Sequence, residues 1–270
     1  MIMMTDRKKV SIAWRRLSFE ATEWQNNNSK APNWRPKRKT ILSSISGHCL
    51  AGTVTGLLGP SGSGKTTLLN VLSGSCRPTS GRIYLAEQPK ASAAAAALPV
   101  SYYIRQHVHE SIVGELTVGQ ILRYAFAFKN GRSKDSDSGS VVEDHMRKTL
   151  SSLMLPPEIV DRRFEACSGG EKKRLSIAQE LMDCRRSPDF LFLDEITTGC
   201  DSVSAFEVIS ALQRLAAEHQ SSMTIIASIH SPNSETLALF DYLVILAKGG
   251  HAIYSGPPQE IGSFCVKQRL

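Results

Sequence analysis

The chain has 270 residues, of which 41% are hydrophobic, and its net charge is +7, so a single core with a satellite subdomain is expected. The six cysteines form no C-x-x-C pair and show no metal-ligand spacing with histidine, which argues against a disulfide framework and favours reduced thiols in the cytosol. The N-terminus is polar and no apolar stretch reaches the ~18 residues of a membrane-spanning helix, so we expect a soluble chain without a signal peptide.

The N-terminal part of the chain is predicted to be rich in β-structure. Alternating apolar residues favour one or two strands over residues 10–24. Residues 41–54 then lead through Gly47 and Gly52 into a β-prone run at residues 53–58, which precedes a glycine-rich loop. Between them, the composition of residues 26–36 predicts a loop, and the basic cluster at residues 37–39 is interpreted as its solvated tip.

Residues 59–67 have the sequence of a phosphate-binding loop, set between a β-prone run and a helical pattern. Glycines let the backbone curl until its N–H groups surround phosphates, and the following helix N-terminus adds partial positive charge. Lys65 is expected to bridge the β- and γ-phosphates, and the Thr66 hydroxyl to ligate Mg²⁺. A glycine turn that fits by chance is the alternative. The predicted nucleotide-binding residues are Gly59, Pro60, Ser61, Gly62, Ser63, Gly64, Lys65, Thr66 and Thr67.

Further along the chain, apolar strands alternate with helices. Strands are predicted at residues 82–85, 100–104, 190–193, 224–229, 242–246 and 252–254, and helices from residue 117 and at 142–155, 172–184 and 203–218. The alanine run at 93–97 is expected to form a weak helix or linker, and residues 129–140 an exposed loop. This alternation implies a mostly parallel sheet covered on both faces.

The apolar strand at residues 190–193 ends in two carboxylates, Asp194 and Glu195. Ionised groups at the end of an apolar strand are costly unless they are paired or bound to a metal. Asp194 is therefore expected to hold Mg²⁺ beside the phosphate-binding loop, and Glu195 to polarise a water against the γ-phosphate. A structural edge pair is the alternative.

Ser168, Gly169 and Gly170 open a helix, and the free N–H groups of such a helix start predict a second anion site. A single phosphate-binding loop does not require this second site. With this motif the chain resembles the nucleotide-binding domain of an ATP-binding cassette (ABC) transporter over about residues 10–264. The resemblance implies that the signature loop of one cassette closes over ATP held by the other, so that two cassettes sandwich two ATP molecules.

The resemblance also assigns roles residue by residue. The matching positions are Gly59 to Thr67 (Walker A), Gln106 (Q-loop), Ser168 to Glu171 (signature), Phe190 to Asp194 (Walker B), Glu195 (catalytic glutamate), Asp201 (D-loop) and His230 (switch histidine). The implied catalytic residues are Glu195, His230, Lys65 and Gln106. The implied nucleotide contacts outside the P-loop are Ser168, Gly169, Gly170 and Asp201, and the implied Mg²⁺ ligands are Thr66, Gln106 and Asp194.

The implied fold is α/β: a P-loop NTPase (RecA-like) core with a mostly parallel sheet, an N-terminal antiparallel β subdomain and an inserted α-helical subdomain. The corresponding boundaries are a tail at residues 1–9, the β subdomain and P-loop part of the core at 10–105, and the helical subdomain at 106–185. Residues 186–270 complete the core.

Several segments resemble the White-type subfamily (the G group) of these transporters, namely residues 171–178, 229–232, 239–242 and 253–257. This resemblance implies the cytosolic half of a half-transporter, or a truncated form, at the cytoplasmic face of a membrane, exporting lipid-like or hydrophobic substrates. The implied cofactors are ATP and Mg²⁺, and the implied partners are a second cassette and a transmembrane domain absent from this chain, with no nucleic acid. A soluble ABC ATPase acting as an assembly factor is the alternative. A catalytically dead regulatory cassette is disfavoured by the intact catalytic motifs.

Some positions depart from the family pattern. Cys167 and Cys200 stand where other small or apolar residues are usual, and histidines at 107 and 109 replace acidic residues. Ala21 falls about where many cassettes stack an aromatic ring on adenine. Weaker ATP binding and poor discrimination against GTP are therefore expected, unless Trp14, Phe19 or Trp24 covers the base.

Overall fold

Two β-sheets organise the chain in the computed structural model, which describes residues 10–26, 34–85, 99–105, 112–131, 139–218 and 223–268. The strands are β1 (Val10–Asn26), β2 (Trp34–Leu50), β3 (Val54–Leu58), β4 (Ser80–Leu85), β5 (Ser101–Ile104), β6 (Phe190–Leu193), β7 (Thr224–Ser228), β8 (Tyr242–Ala247) and β9 (His251–Gly256). The helices are α1 (Lys65–Leu72), α2 (Val118–Asn130), α3 (Gly139–Ser152), α4 (Gly169–Glu180), α5 (Ser202–Glu218), α6 (Ser234–Ala238) and α7 (Ile261–Gln268), with 3₁₀ turns at Pro157–Asp161, Phe164–Ala166 and Pro258–Glu260.

The smaller sheet is antiparallel, with the strand order β2-β1-β4. The predicted loop does not extend over residues 34–39, because the basic cluster lies within β2 and pairs with the second half of β1, with Ala21 opposite Lys39. Charge pairing supports this exposed ribbon: Lys39 Nζ lies 3.1 Å from a carboxylate oxygen of Glu23, and Arg38 3.6 Å from Glu20. Interpreting this cluster as a loop tip was therefore wrong.

The larger sheet has the order β5-β6-β7-β3-β8-β9 and is parallel except for β9. All residues of β6 and β7 are buried, as expected for strands covered on both faces. Ligands of open α/β sheets bind outside the carboxyl ends of the strands, and here the ends of the neighbouring strands β6, β7 and β3 lie together. The predicted mostly parallel sheet is confirmed, and this edge positions the site.

A group of helices, α2 to α4, is inserted between the neighbouring strands β5 and β6. Apolar residues of these helices pack together in the main core, among them Leu122, Phe126, Leu150 and Ile177. Helix α4 begins at Gly169, three residues earlier than predicted, because Ser168 and Glu171 form a capping box. The inserted helical subdomain is thus confirmed, while its exact residue boundaries stay predictions.

Several predicted features lie outside the described residues: Gln106, the neighbouring histidines 107 and 109, and the alanine run at 93–97. All six cysteines are described, and each is a free thiol. Across the described ranges, none of the helices combines the length and the apolar character needed to traverse a lipid bilayer.

Candidate nucleotide-binding site

The loop between β3 and α1 has the curled backbone expected of a phosphate cradle. Gly59, Gly62 and Gly64 have φ values of 148°, 76° and 98°, in a region that L-amino acids rarely adopt. A Cβ atom at Gly59 would also overlap the carbonyl oxygen of Leu246. Glycine is therefore required at Gly59 both by conformation and by space.

Two polar side chains of this loop, those of Ser63 and Lys65, are buried. Lys65 is 5% exposed, and its Nζ donates to the carbonyl oxygens of Gly59 at 2.8 Å and Pro60 at 3.1 Å. The Oγ of Ser63 is buried and has no hydrogen-bond partner. Because unpaired buried hydroxyl groups are rare in native proteins, Ser63 indicates a polar ligand at this loop.

Three hydroxyl groups converge on the buried carboxylate of Asp194. Ser228 Oγ donates to Oδ1 at 2.7 Å, Thr66 Oγ1 donates to the same oxygen at 3.1 Å, and Tyr103 OH donates to Oδ2 at 3.5 Å. Burial and the charge of Asp194 both raise the pKa of Tyr103, so this phenol remains a proton donor at neutral pH. The adjacent oxygens of Thr66 and Asp194 are hard ligands of the kind that Mg²⁺ prefers, so these residues fit the predicted metal.

Glu195, the next residue, has a strained backbone with φ at 49°. Its N–H donates to Ser228 Oγ at 2.7 Å, and its carboxylate oxygen Oε2 accepts from Thr198 Oγ1 at 3.2 Å. Such a conformation in a residue other than glycine costs about 1–3 kcal/mol and persists only where the surroundings impose it. Here hydrogen bonds hold both the backbone and the side chain of Glu195.

The signature segment caps helix α4. The Ser168 side chain accepts from the Glu171 N–H at 3.2 Å, and a Glu171 carboxylate oxygen accepts from the Ser168 N–H at 2.7 Å. Arg162 Nη1 donates to both oxygens of that carboxylate, at 3.0 and 3.1 Å. Burial raises the pKa of Glu171, but the Ser168 N–H and the Arg162 guanidinium outweigh it and leave this pKa below its usual value.

Asp201 and His230 line one cavity of ≈ 250 Å³. The exposed Asp201 carboxylate accepts from the N–H and the hydroxyl of Ser204, at 2.9 and 3.0 Å, and these bonds lower its pKa. The exposed His230 ring places Nδ1 3.1 Å from Ser231 Oγ. Both side chains therefore lie at the surface, where a second molecule could reach them.

The structure brings most of the predicted residues together, but in two groups. Lys65, Thr66, Asp194 and Glu195 form one connected site at the carboxyl edge of the larger sheet. The signature segment lies against the D-loop instead, because a Cβ atom at Gly169 would have the Gly199 carbonyl oxygen as its nearest neighbour, at 3.8 Å.

Two contributors were missed by sequence reasoning, Ser228 and Tyr103. Each lies in a strand whose sequence resembles that of a core strand. The feature that could have identified them is a hydroxyl group in a strand that ends at this edge of the sheet. At the predicted adenine position, Ala21 lies in β1 with a partly exposed side chain. Trp14 is buried, Phe19 is partly exposed and packs against the core, and the Trp24 side chain lies outside the described part of the structure.

Comparison with known proteins gives consistent matches. A sequence model described as ABC transporter matches residues 42–198. ABC transporter G family member 1 of Arabidopsis thaliana is 34% identical over 231 residues, which cover 85% of this chain and 30% of the relative. ABC transporter ATP-binding protein/permease PDR18 of Saccharomyces cerevisiae is 36% identical over 250 residues, covering 90% of this chain and 18% of the relative. The chain thus spans about a third or less of the length of these relatives.

Solved structures match over nearly the whole chain. The ATP-binding cassette MJ1267 in its ADP conformation has a TM-score of 0.67 at 21% identity, covering 94% of this chain and 95% of that one. The dimeric post-hydrolysis structure of the cassette MJ0796, bound to ADP and Pi, has a TM-score of 0.64 at 17% identity, covering 92% and 98%. At these identities the likeness concerns the fold.

Proposed function

Because this chain belongs to the ABC transporter family, we propose that it is a cassette that binds and hydrolyses ATP to power transport across a membrane. The observation that carries this proposal is the hydrogen-bonded connection from the P-loop residue Thr66 through Asp194 and Ser228 to Glu195. It joins a predicted phosphate site, a predicted metal ligand and a predicted catalytic carboxylate at one edge of the sheet.

In this proposal the P-loop binds the phosphates through its inward-facing N–H groups and Lys65. Lys65 leaves the carbonyl oxygens that it contacts and places its charge on the β- and γ-phosphates. Thr66 and Asp194, together with Gln106, would hold Mg²⁺, which neutralises phosphate charge when it is bound. Catalysis then rests mainly on positioning and on charge neutralisation.

Glu195 is the proposed acceptor of the proton from the attacking water. The hydrogen bonds to its backbone and side chain fix its direction before any ligand binds. His230 is proposed to contact the γ-phosphate from the neighbouring strand end. His230 is exposed and shares a cavity with Asp201, at a surface that a second subunit could reach.

A second cassette completes the proposed site. Ser168 and Gly169 are exposed at the N-terminus of α4, where a helix presents N–H groups and partial positive charge to an anion. We propose that they contact ATP held by the P-loop of an identical or a related partner cassette. The dimeric form of the structurally similar cassette MJ0796 supports this arrangement.

The membrane part of the proposal rests on the relatives. Two relatives named as ABC transporter G family members match this chain over only about a third of their own length. We therefore propose that this chain is the cytosolic part of a half-transporter at the cytoplasmic face of a membrane. Lipid-like or hydrophobic molecules are the proposed substrates.

The test compares ATP turnover and nucleotide binding in three variants. Glu195→Gln should bind ATP like the wild type and lose about 10²-fold or more in turnover, the scale of a lost general base. Lys65→Ala should weaken nucleotide binding itself. Glu158→Gln, which changes an exposed glutamate outside the site, is the matched control and should behave like the wild type. Turnover that survives Glu195→Gln unchanged would remove Glu195 from the reaction.

A further inference from the structure

Ser228 occupies a junction between the groups of the proposed active site. It is the last residue of β7, it is fully buried, and it pairs with Leu57 of β3 on one side, while the preceding Ala227 pairs with Leu193 of β6 on the other. We propose that Ser228 is a positioning residue for hydrolysis, whose hydroxyl fixes the Asp194 carboxylate and the Glu195 backbone relative to each other. This inference rests on the proposed function.

The hydrogen bonds of Ser228 use its hydroxyl in both directions. A serine hydroxyl has one proton to donate and two lone pairs that accept. The proton goes to Asp194 Oδ1 at 2.7 Å, and the oxygen accepts from the Glu195 N–H at 2.7 Å. Removing the hydroxyl would leave a buried carboxylate oxygen and a backbone N–H each without this partner. Losing a hydrogen-bond partner costs more free energy at a buried group than at one that water can reach.

The hydrogen bond from the Glu195 N–H to Ser228 Oγ matters because the backbone of Glu195 is strained. At a φ of 49° the residue would relax towards an ordinary conformation if its N–H were released, and its carboxylate would turn with it. Thr198 holds the carboxylate itself at 3.2 Å, so Ser228 and Thr198 fix Glu195 from two sides. Losing the backbone bond should therefore misdirect the carboxylate even though the side chain is unchanged.

Ser228 differs in this respect from the other hydroxyls at Asp194. Thr66 is itself a predicted metal ligand, and Tyr103 makes a longer contact of 3.5 Å to the opposite carboxylate oxygen. Ser228 contacts both carboxylate-bearing residues from its position at the end of β7. Its role is to orient groups and not to touch the nucleotide.

The experiment compares Ser228→Ala and Ser228→Thr with the control Thr224→Val. Thr224 is also fully buried, at the opposite end of β7, and its hydroxyl makes one long contact of 3.5 Å to the Leu50 carbonyl oxygen. Each variant is assayed for ATP turnover, for nucleotide binding without Mg²⁺, and for thermal stabilisation by nucleotide as Mg²⁺ is titrated.

Ser228→Ala should lower kcat about 10–100-fold, the scale seen when a group orienting a ligand residue is lost. The KM for ATP and nucleotide binding without Mg²⁺ should be unchanged, while more Mg²⁺ is needed for half-maximal thermal stabilisation by nucleotide. Ser228→Thr, which keeps the hydroxyl, should recover part of kcat, and Thr224→Val should match the wild type. If Ser228→Ala does not fold, Ser228→Cys, with similar volume and a weaker donor, replaces it.

A double variant separates positioning from general stability. At saturating Mg²⁺, where the effect through Asp194 is masked, adding Ser228→Ala to Glu195→Gln should lower turnover no further if Ser228 acts through Glu195. An equal loss in both backgrounds at saturating Mg²⁺ would overturn the proposal. A Ser228→Ala variant with wild-type kcat and Mg²⁺ dependence would also overturn it. A Glu195→Gln variant with the turnover of the wild type would instead contradict the proposed function. That outcome can be told apart from failure of the present inference, because it needs no Ser228 variant.

Discussion

Glu171 offers a sensitive test of how the signature segment is built. Its carboxylate accepts from the Ser168 N–H and from the Arg162 guanidinium, and so closes the first turn of α4. We expect Glu171→Ala to destabilise the protein and to weaken nucleotide-driven dimerisation, because Ser168 and the adjoining N–H groups lose their fixed direction. Glu171→Gln should have a smaller effect, because glutamine can still close a capping box.

The magnitudes follow from the contacts. Loss of the hydrogen bond that Glu171 accepts from the Ser168 N–H costs about 0.5–1.5 kcal/mol, and a partly exposed ion pair contributes about 0.2–1 kcal/mol. Glu171→Ala loses both and should cost about 1–3 kcal/mol, whereas Glu171→Gln should cost about 0.2–1 kcal/mol. A loss of about 2 kcal/mol lowers the melting temperature of a chain of this size by about 4–8 °C. Since domains are stable by about 5–15 kcal/mol, both variants should fold.

Chemical denaturation at two pH values is the assay, with light scattering for the dimer. The pKa of Glu171 is lowered in the folded state, so its stabilisation is complete above the unfolded value of ~4.3 and is lost as pH falls through the folded value. The stability difference between the wild type and Glu171→Gln should therefore shrink in acid. A Glu171→Ala protein with unchanged stability and dimerisation would refute the reasoning.

Two further predictions concern the partner cassette and the base. In a Glu195→Gln background, Gly169→Asp should abolish the ATP-dependent dimer seen by light scattering while nucleotide binding persists. Gly169 is exposed and has room for a side chain, so the new carboxylate would repel a partner's phosphate, and Gly139→Asp, in open space at the start of α3, is the control. Ala21→Tyr should tighten ATP binding by up to about tenfold in titrations and improve discrimination against GTP, because ring stacking contributes ~1–3 kcal/mol. Unchanged affinity would show that another group already covers the adenine.

The sequence predicts the architecture well where burial creates a clear pattern. The strands at Phe190–Leu193 and Thr224–Ser228 are continuous apolar or β-prone runs, and the glycine spacing before Lys65 predicts its loop correctly. The long β1–β2 ribbon was not predicted in full, because part of it lacks such a pattern. Residues 36–40 of β2 are all exposed, so the basic residues 37–39 show no apolar alternation and resemble a loop in sequence.

The site was predicted less completely than the fold, because some of its geometry depends on strand order. Ser228 carries no motif of its own, and its role becomes visible only when β6 and β7 are neighbours in register. The capping box of α4 was, by contrast, readable: Ser168 followed three residues later by Glu171 is its signature, and using it would have placed the helix start correctly. The role of Ser228 depends on long-range strand pairing, whereas the capping box depends only on local sequence.

The site is held together by contacts that are distant along the chain. Thr66 and Asp194 are 128 residues apart, and Asp194 and Ser228 are 34 apart, yet their side chains share one carboxylate oxygen. Contacts of such high sequence separation close long loops and form slowly, after local helices and turns. Nucleotide should therefore recognise the chain only once β3, β6 and β7 have docked, and its binding energy should then be added to the stability of the completed fold.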